Sequence, residues 1–170
     1  MAMKKQRVLA LVDENLVPPD DPAGHDVASA PWKMEYDVVH TLREQGHEVL
    51  AVGVGSELGV IRRAVEEMKP DIAFNLLESF AEVATWDLNV VAYLELMRVP
   101  YTGCNTRGLL LARDKALAKK ILAFHRIAVP DFVAVPRGRA VRRPRRLGFP
   151  LIVKSLTLDA SIGISQASIV

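Results

Sequence analysis

Two kinds of hydrophobic pattern alternate along this chain: short unbroken apolar runs, and longer stretches in which apolar residues recur every three or four positions. The run 7–12 is apolar after its first residue, which predicts a strand buried on both faces and therefore central in a parallel sheet. Runs 48–54 and 71–75 predict a second and a third strand. Between them, 32–45 predicts a helix, with Tyr36, Val39 and Leu42 near helical spacing and Gly46 as its stop. Another helix is expected from a Ser56 cap to about Met68, ahead of Pro70. Stretch 76–85 fits neither period. Residues 87–97 predict a third helix, 100–103 a short strand and turn, and Asn105 or Thr106 a cap for the next helical turn. Strand and helix in alternation predict an open parallel α/β sheet. Ligands bind such sheets beyond the carboxyl ends of the strands, where Asp13, Asn75 and Thr102 would lie. The polar, proline-rich stretch 13–31 leaves the first strand at that end, and so long a loop is often functional.

The pattern changes near Ala112. A basic helix is expected over 115–125, strands over 132–135 and 151–154, and the start of another at 166–170, with a proline- and arginine-rich connection at 137–146. That reads as the opening of a second, mostly antiparallel subdomain. Its strands would carry open edges and apolar residues such as Ile152 and Ile169 that further chain or a second copy would cover, so a homodimer is one expected arrangement.

Composition narrows the classes. Of the 170 residues, half are apolar and a quarter charged, which is ordinary for a globular domain. Charges or prolines interrupt every apolar run well short of a membrane span, so no membrane partner is expected. Cys104 is the only cysteine, which rules out an internal disulfide framework and suggests a reducing cytoplasm. The net charge of +2 hides a division: residues 1–112 hold 10 Lys/Arg against 17 Asp/Glu, and 113–170 hold 12 against 3. A basic second part suits an anionic ligand. Nucleic acid is a poor candidate, because only Phe124, Phe132 and Phe149 are aromatic there and no stacking pattern interleaves the charges.

The candidate chemistry lies at element ends. Gly148-Phe149-Pro150-Leu151-Ile152-Val153-Lys154 places a lysine after an apolar run, and Ser155 to Ile164 supplies small and hydroxyl-bearing residues whose backbone N–H groups could face an anion. Lys115 follows Asp114 at a helix start. Two such lysines and a hydroxylated loop suggest a nucleotide phosphate site, although each lysine could equally be a solvated residue. Glu35 and Glu78 are candidates for a substrate amine, against the commoner role of a surface or helix-start carboxylate. The arginines at 137, 139, 142, 143, 145 and 146 form either a solvated connection or an anion-attracting patch. Four histidines show no metal-ligand spacing.

These segments together resemble the N-terminal part of an ATP-grasp ligase, of the D-alanine–D-alanine ligase group. The resemblance is carried by Leu94-Glu95-Leu96-Met97 with Pro100-Tyr101-Thr102-Gly103, by Asp114-Lys115 with Lys119, by Gly148–Lys154, and by Ser161-Ile162-Gly163. It implies a Rossmann-like, pre-ATP-grasp substrate domain over 1–112, followed over 113–170 by the beginning of an ATP-grasp α+β subdomain. It implies that Lys115 and Lys154 contact ATP, and that the loop at Ser161, Ile162 and Gly163 folds over the phosphates. The implied reaction activates a carboxylate as an acyl phosphate, which an amine attacks, on small amino-acid-like substrates. Mg²⁺ accompanies the nucleotide, with its carboxylate ligands expected beyond residue 170, so that this chain alone would hold no metal and be inactive or nearly so. The sequence departs from the pattern in places. Ser155 stands where a proline is usual, Asp159-Ala160-Ser161 where glycine-serine-serine is typical, and the first strand lacks the glycine-rich motif with its substrate-binding glutamate. Nucleotide binding therefore carries over better than D-alanine specificity. A non-catalytic Rossmann-like binding or assembly module is the alternative.

Overall fold

The computed structural model describes residues 4–158 and 163–170. It divides into two compact units, 1–106 and 107–170. The first unit is built on a parallel sheet of β1 (Arg7–Asp13), β2 (Glu48–Val54) and β3 (Ile72–Asn75), in the order β2-β1-β3. β1 is central, as its unbroken apolar run predicts, and pairs Val8 with both Val49 and Ile72. Val8 to Val12 are at most 2% exposed, because a strand flanked on both sides and covered on both faces has no side for water. A further parallel bridge joins Ala73 to Tyr101, so the short 100–103 strand extends the sheet beyond β3.

The helices α1 (Lys33–Glu44), α2 (Gly59–Met68) and α3 (Asp87–Leu96) fall where the apolar periodicity places them. Leu9 and Leu11 of β1 share a core with Ile61 and Ala64 of α2 and with Val90 and Leu94 of α3. α1 ends in a Schellman turn: Gly46, at φ +88°, donates to the Arg43 carbonyl, and His47 donates to that of Leu42. α2 begins later than Ser56 predicts. Leu58 precedes its first residue without a side-chain cap, which leaves Ser56 in the loop after β2. The proline-rich stretch after β1 starts with a 3₁₀ turn over Glu14–Leu16, and Asp20 is tied back to Arg43 of α1 at 2.9 Å.

The second unit contains α5 (Lys115–Phe124), which follows α4 (Thr106–Arg113). Asp114 caps α5 by accepting from the N–H groups of Ala116 and Leu117 at 2.9 and 2.8 Å. Among the described residues, the strands expected here do not form as regular elements. Residues 132–135 form no regular element, and 151–154 and 166–170 meet in one antiparallel bridge, Ile152 to Ile169, beside a 3₁₀ turn over Gln166–Ser168. A β pattern in sequence needs neighbouring strands to become a sheet, and among the described residues 151–154 and 166–170 have only each other.

Candidate functional site

The first unit carries two chambers at the carboxyl ends of its strands. The larger, about 290 Å³, is lined by Asp13, Glu35, Glu78 and Ser79, with Leu16, Pro31, Met34 and Leu76 as its apolar walls. The smaller, about 270 Å³, is lined by Asp13, Glu14 and Glu82, by the polar Asn15, Ser56 and Ser79, and by Val54, Gly55 and Ala81. Asp13 and Ser79 belong to both. β1, β2 and β3 therefore each send their exit segment here, as expected for a parallel sheet.

Local chemistry explains how each group is held. Asp13, the last residue of β1, accepts from Asn15 through both its backbone N–H, at 2.8 Å, and its side chain, at 3.1 Å, which turns the chain off the sheet. Glu35 lies in the first turn of α1, where the helix dipole favours an acid. It is 2% exposed, and its Oε2 has no hydrogen-bond partner. A buried polar oxygen left unpaired costs stability. Glu14 folds over the exit of β2: a Cβ at Gly55 would stand 2.3 Å from the Glu14 carboxyl, so only glycine leaves room for that side chain there.

Glu82 is placed by a strained turn. Phe80 and Val83 exchange backbone hydrogen bonds of 3.2 and 3.0 Å, and between them Ala81 and Glu82 take φ of +50° and +61°. Two successive left-handed residues are the geometry of a tight hairpin turn, which normally selects glycine or asparagine. For other residues it costs roughly 1–2 kcal/mol each. Ala81 also donates to the Gly55 carbonyl at 3.2 Å, fastening this turn to the exit of β2.

The structure thus brings Glu35 and Glu78, both expected as amine ligands, into one chamber with Asp13. Asn75 and Thr102 do something else: the Thr102 hydroxyl accepts from the Asn75 N–H at 3.0 Å, closing the sheet end without lining either chamber. Glu14, Ser56 and Glu82 were not legible as site residues. Their signal, acidic and small residues clustered just past three strand ends, is visible only once the sheet order is known.

The Leu94–Met97 and Pro100–Gly103 segments are joined by Glu95. Its carboxyl accepts from the Tyr101 hydroxyl at 2.7 Å and from the backbone and hydroxyl of Thr106 at 3.3 and 2.9 Å. Those bonds hold its acid below the usual carboxylate range. Burial and the Glu95 contact push the Tyr101 phenol up to about 12. This is an architectural clamp, from the end of α3 to the start of α4.

In the second unit, Lys115 Nζ donates to the Leu158 carbonyl at 2.6 Å and to that of Leu156 at 3.5 Å, and its backbone N–H also bonds Leu156 at 3.1 Å. The start of α5 is therefore tied to the segment just past Lys154. Lys154 itself is exposed. The Ser155 hydroxyl accepts from the N–H groups of Thr157 and Leu158, so those two groups are used inside the bend. Gly163 is at φ +74°, while Ser161 and Ile162 lie outside the described residues. Of the arginine cluster, Arg143 sits over the Phe149 ring at 4.9 Å and Arg146 donates to the Phe132 carbonyl at 3.2 Å, so part of it braces its own connection. Among the described residues no group of three or more His, Cys, Asp or Glu is placed to hold a metal ion, and no helix is long and apolar enough to cross a membrane.

No family model matches the chain. It is 33% identical over 126 residues to a D-alanine–D-alanine ligase of Pelotomaculum thermopropionicum, covering 68% of this chain and 38% of that one. It is likewise 33% identical over 129 residues to that of Syntrophotalea carbinolica, and 34% over 133 residues to that of Desulforudis audaxviator, in each case covering 75% of this chain and 40% of the relative. The chain thus spans about two fifths of the length of these curated relatives. Two crystal structures of the Bacillus anthracis D-alanine–D-alanine ligase share its fold. The one complexed with ATP has a TM-score of 0.63 at 20% identity and covers 89% of this chain and 48% of its own. The other has a TM-score of 0.67 at 21% identity, covering 91% and 47%. In sequence and in fold, the chain is D-alanine–D-alanine ligase-like across the part of those enzymes that it matches.

Proposed function

We propose that this chain is the substrate-side portion of an ATP-dependent carboxylate–amine ligase. The observation that carries this reading is Glu35, buried and unpaired at Oε2, in an acidic chamber at the strand ends of a ligase-like fold. An ammonium group supplies the missing donor. Acidic neighbours favour the protonated amine, which has no lone pair. The amine held by Glu35 and Glu78 is therefore not the nucleophile. It anchors the substrate whose carboxylate is activated, and the attacking amine comes from a second molecule.

The second unit is the nucleotide side. ATP supplies the phosphoryl group that activates the carboxylate, with Mg²⁺ as its counter-ion. Lys154 and Lys115, with the Ser161–Gly163 loop, would neutralise and enclose the phosphates without needing a proton transfer. Lys115 fits this role through its place: its ammonium already fastens the loop's approach at Leu158. A cytoplasmic location follows from that reading and from the single thiol, Cys104. A homodimer would cover exposed apolar residues of the second unit such as Phe149 and Val153.

Calorimetry with a non-hydrolysable ATP analogue tests the assignment. Weak binding that falls about tenfold in Lys154→Ala is expected, the size of one charge-assisted contact. Mixing the chain alone with ATP, Mg²⁺ and amino acids should release no phosphate. The absence of any analogue binding would favour a non-catalytic module instead.

A further inference from the structure

We infer that the substrate anchored at Glu35 carries an aliphatic side chain longer than a methyl group, seated against Leu16, Pro31, Met34 and Leu76. This rests on the reading above that the Glu35 chamber takes an amine, and it names the kind of amine that fits. Three stretches of chain bring hydrocarbon to this chamber. Leu16 closes the 3₁₀ turn after β1, Pro31 and Met34 flank the start of α1, and Leu76 follows β3. Met34 and Glu35 are consecutive in the first turn of α1, so one helical turn delivers both the anchor and part of the apolar wall. The chamber measures about 290 Å³, against roughly 30 Å³ for one water molecule. An ammonium group on Glu35 with only a methyl beside it would leave most of that space to water lying against apolar side chains.

The division of the lining sets how such a ligand lies. Glu35 is 2% exposed with Oε2 unpartnered, which fixes the end that carries the donor. The remaining acids, Asp13 and Glu78, repel a carboxylate, so that group of the substrate stays at the mouth. Asp13 and Ser79 also line the smaller chamber, whereas the four apolar residues line this one alone. The hydrocarbon wall is therefore the side turned away from the smaller chamber. Pro31 has no backbone N–H to offer there, and the side chains of Leu16, Met34 and Leu76 carry no polar hydrogen. A hydroxyl or amide placed against that wall gives up its water without gaining a partner. A methylene buried there gains roughly fourfold in affinity. Met34 is 50% exposed, and its unbranched thioether adapts to the shape of the chain it covers.

The test titrates the whole chain with methylamine, ethylamine, 1-aminopropane and 1-aminobutane, followed by nuclear magnetic resonance at the backbone amides of α1. Affinity should rise with each methylene, by roughly fourfold where burial is complete and by about tenfold or more across the series. Racemic norleucine should likewise bind about tenfold tighter than racemic alanine. Both carry the same carboxylate, so that ratio isolates the side chain. Glu35→Gln should weaken every amine alike, because it removes the charge and leaves the wall. Met34→Gln and Leu16→Ala should each flatten the dependence on chain length, and the half-exposed Met34 can be replaced without threatening the fold. Amines that bind through Glu35 with equal affinity whatever their length overturn the aliphatic pocket and leave the amine anchor standing. A length dependence that survives both Met34→Gln and Leu16→Ala overturns the pocket too. If no amine binds, or if Glu35→Gln changes nothing, both readings fall.

Discussion

Replacing Glu35 by methionine should make the protein more stable and less able to bind an amine. Glu and Met have similar length, so Glu35→Met keeps the volume of the side chain at the chamber wall while removing the oxygen that has no partner. An unsatisfied buried polar group costs about 1–3 kcal/mol. Some of that will be offset by imperfect packing of the thioether, leaving a gain of about 1 kcal/mol. For a unit of roughly a hundred residues this raises the midpoint by about 4–8 °C. Both tryptophans, Trp32 and Trp86, lie in the first unit, so fluorescence reports its unfolding selectively. Glu35→Gln, which keeps a polar group buried, should recover little or none of the gain. A midpoint several degrees lower in Glu35→Met would refute the reasoning. It would mean that Glu35 is held by a structural partner and is not waiting for a ligand.

Two further outcomes follow from the geometry. Gly53→Ala places a Cβ 2.7 Å from Val17 Cγ2 and 3.0 Å from the Glu14 backbone, so it should cost about 1–3 kcal/mol in urea unfolding. Gly55→Ala meets only the far end of the Glu14 side chain, so it should cost less than about 1 kcal/mol in the same assay. Acid should weaken the first unit through Asp71 and Glu95, whose acids are held below their ordinary values. Asp71 is lowered by the backbone and side chain of Arg7, and Glu95 by Tyr101 and Thr106. A lowered folded value means that the stabilisation is present above the ordinary carboxylate range and is lost as pH falls through the folded value. Asp71→Asn should therefore flatten the acid limb of the stability profile, modestly because the pair is exposed. An unchanged limb would show that the Arg7 contact contributes nothing.

Much of the first unit was legible because its signals are local. β1 announces itself by five consecutive buried apolar residues, and Gly46 and Pro70 end helices for reasons of backbone geometry alone. The second unit was less legible because its β pattern depends on long-range pairing. The run 151–154 has strand composition, yet it makes one bridge, since sheet formation is a property of neighbours and not of a segment. Ser56 illustrates the same limit at a single residue. It has the chemistry of a cap, but the helix begins three residues later and Ser56 faces a chamber instead. The acids of the smaller chamber come from two separate segments, the end of β1 and the turn at 81–82, and nothing in their spacing along the chain joins Glu14 to Glu82.

The division of charge becomes intelligible when placed on the two units. Residues 1–106 hold 9 Lys/Arg against 17 Asp/Glu, and 107–170 hold 13 against 3. A ligase that joins an amine-bearing substrate to a nucleotide-driven activation must recognise opposite charges in different places, and low-dielectric clefts magnify whichever sign lines them. In the proposed reading the acidic unit holds ammonium groups and the basic unit holds phosphate, so neither ligand gains by entering the other's site. The scheme makes a demand on the acids. Five of the seventeen stand at the strand ends, and of these Glu14, Glu78 and Glu82 are exposed while Glu35 alone is buried, with an oxygen that has no partner. In the proposed reading, the burial of Glu35 at the carboxyl ends of the strands, more than the count of charges, ties the acidity of this unit to recognition.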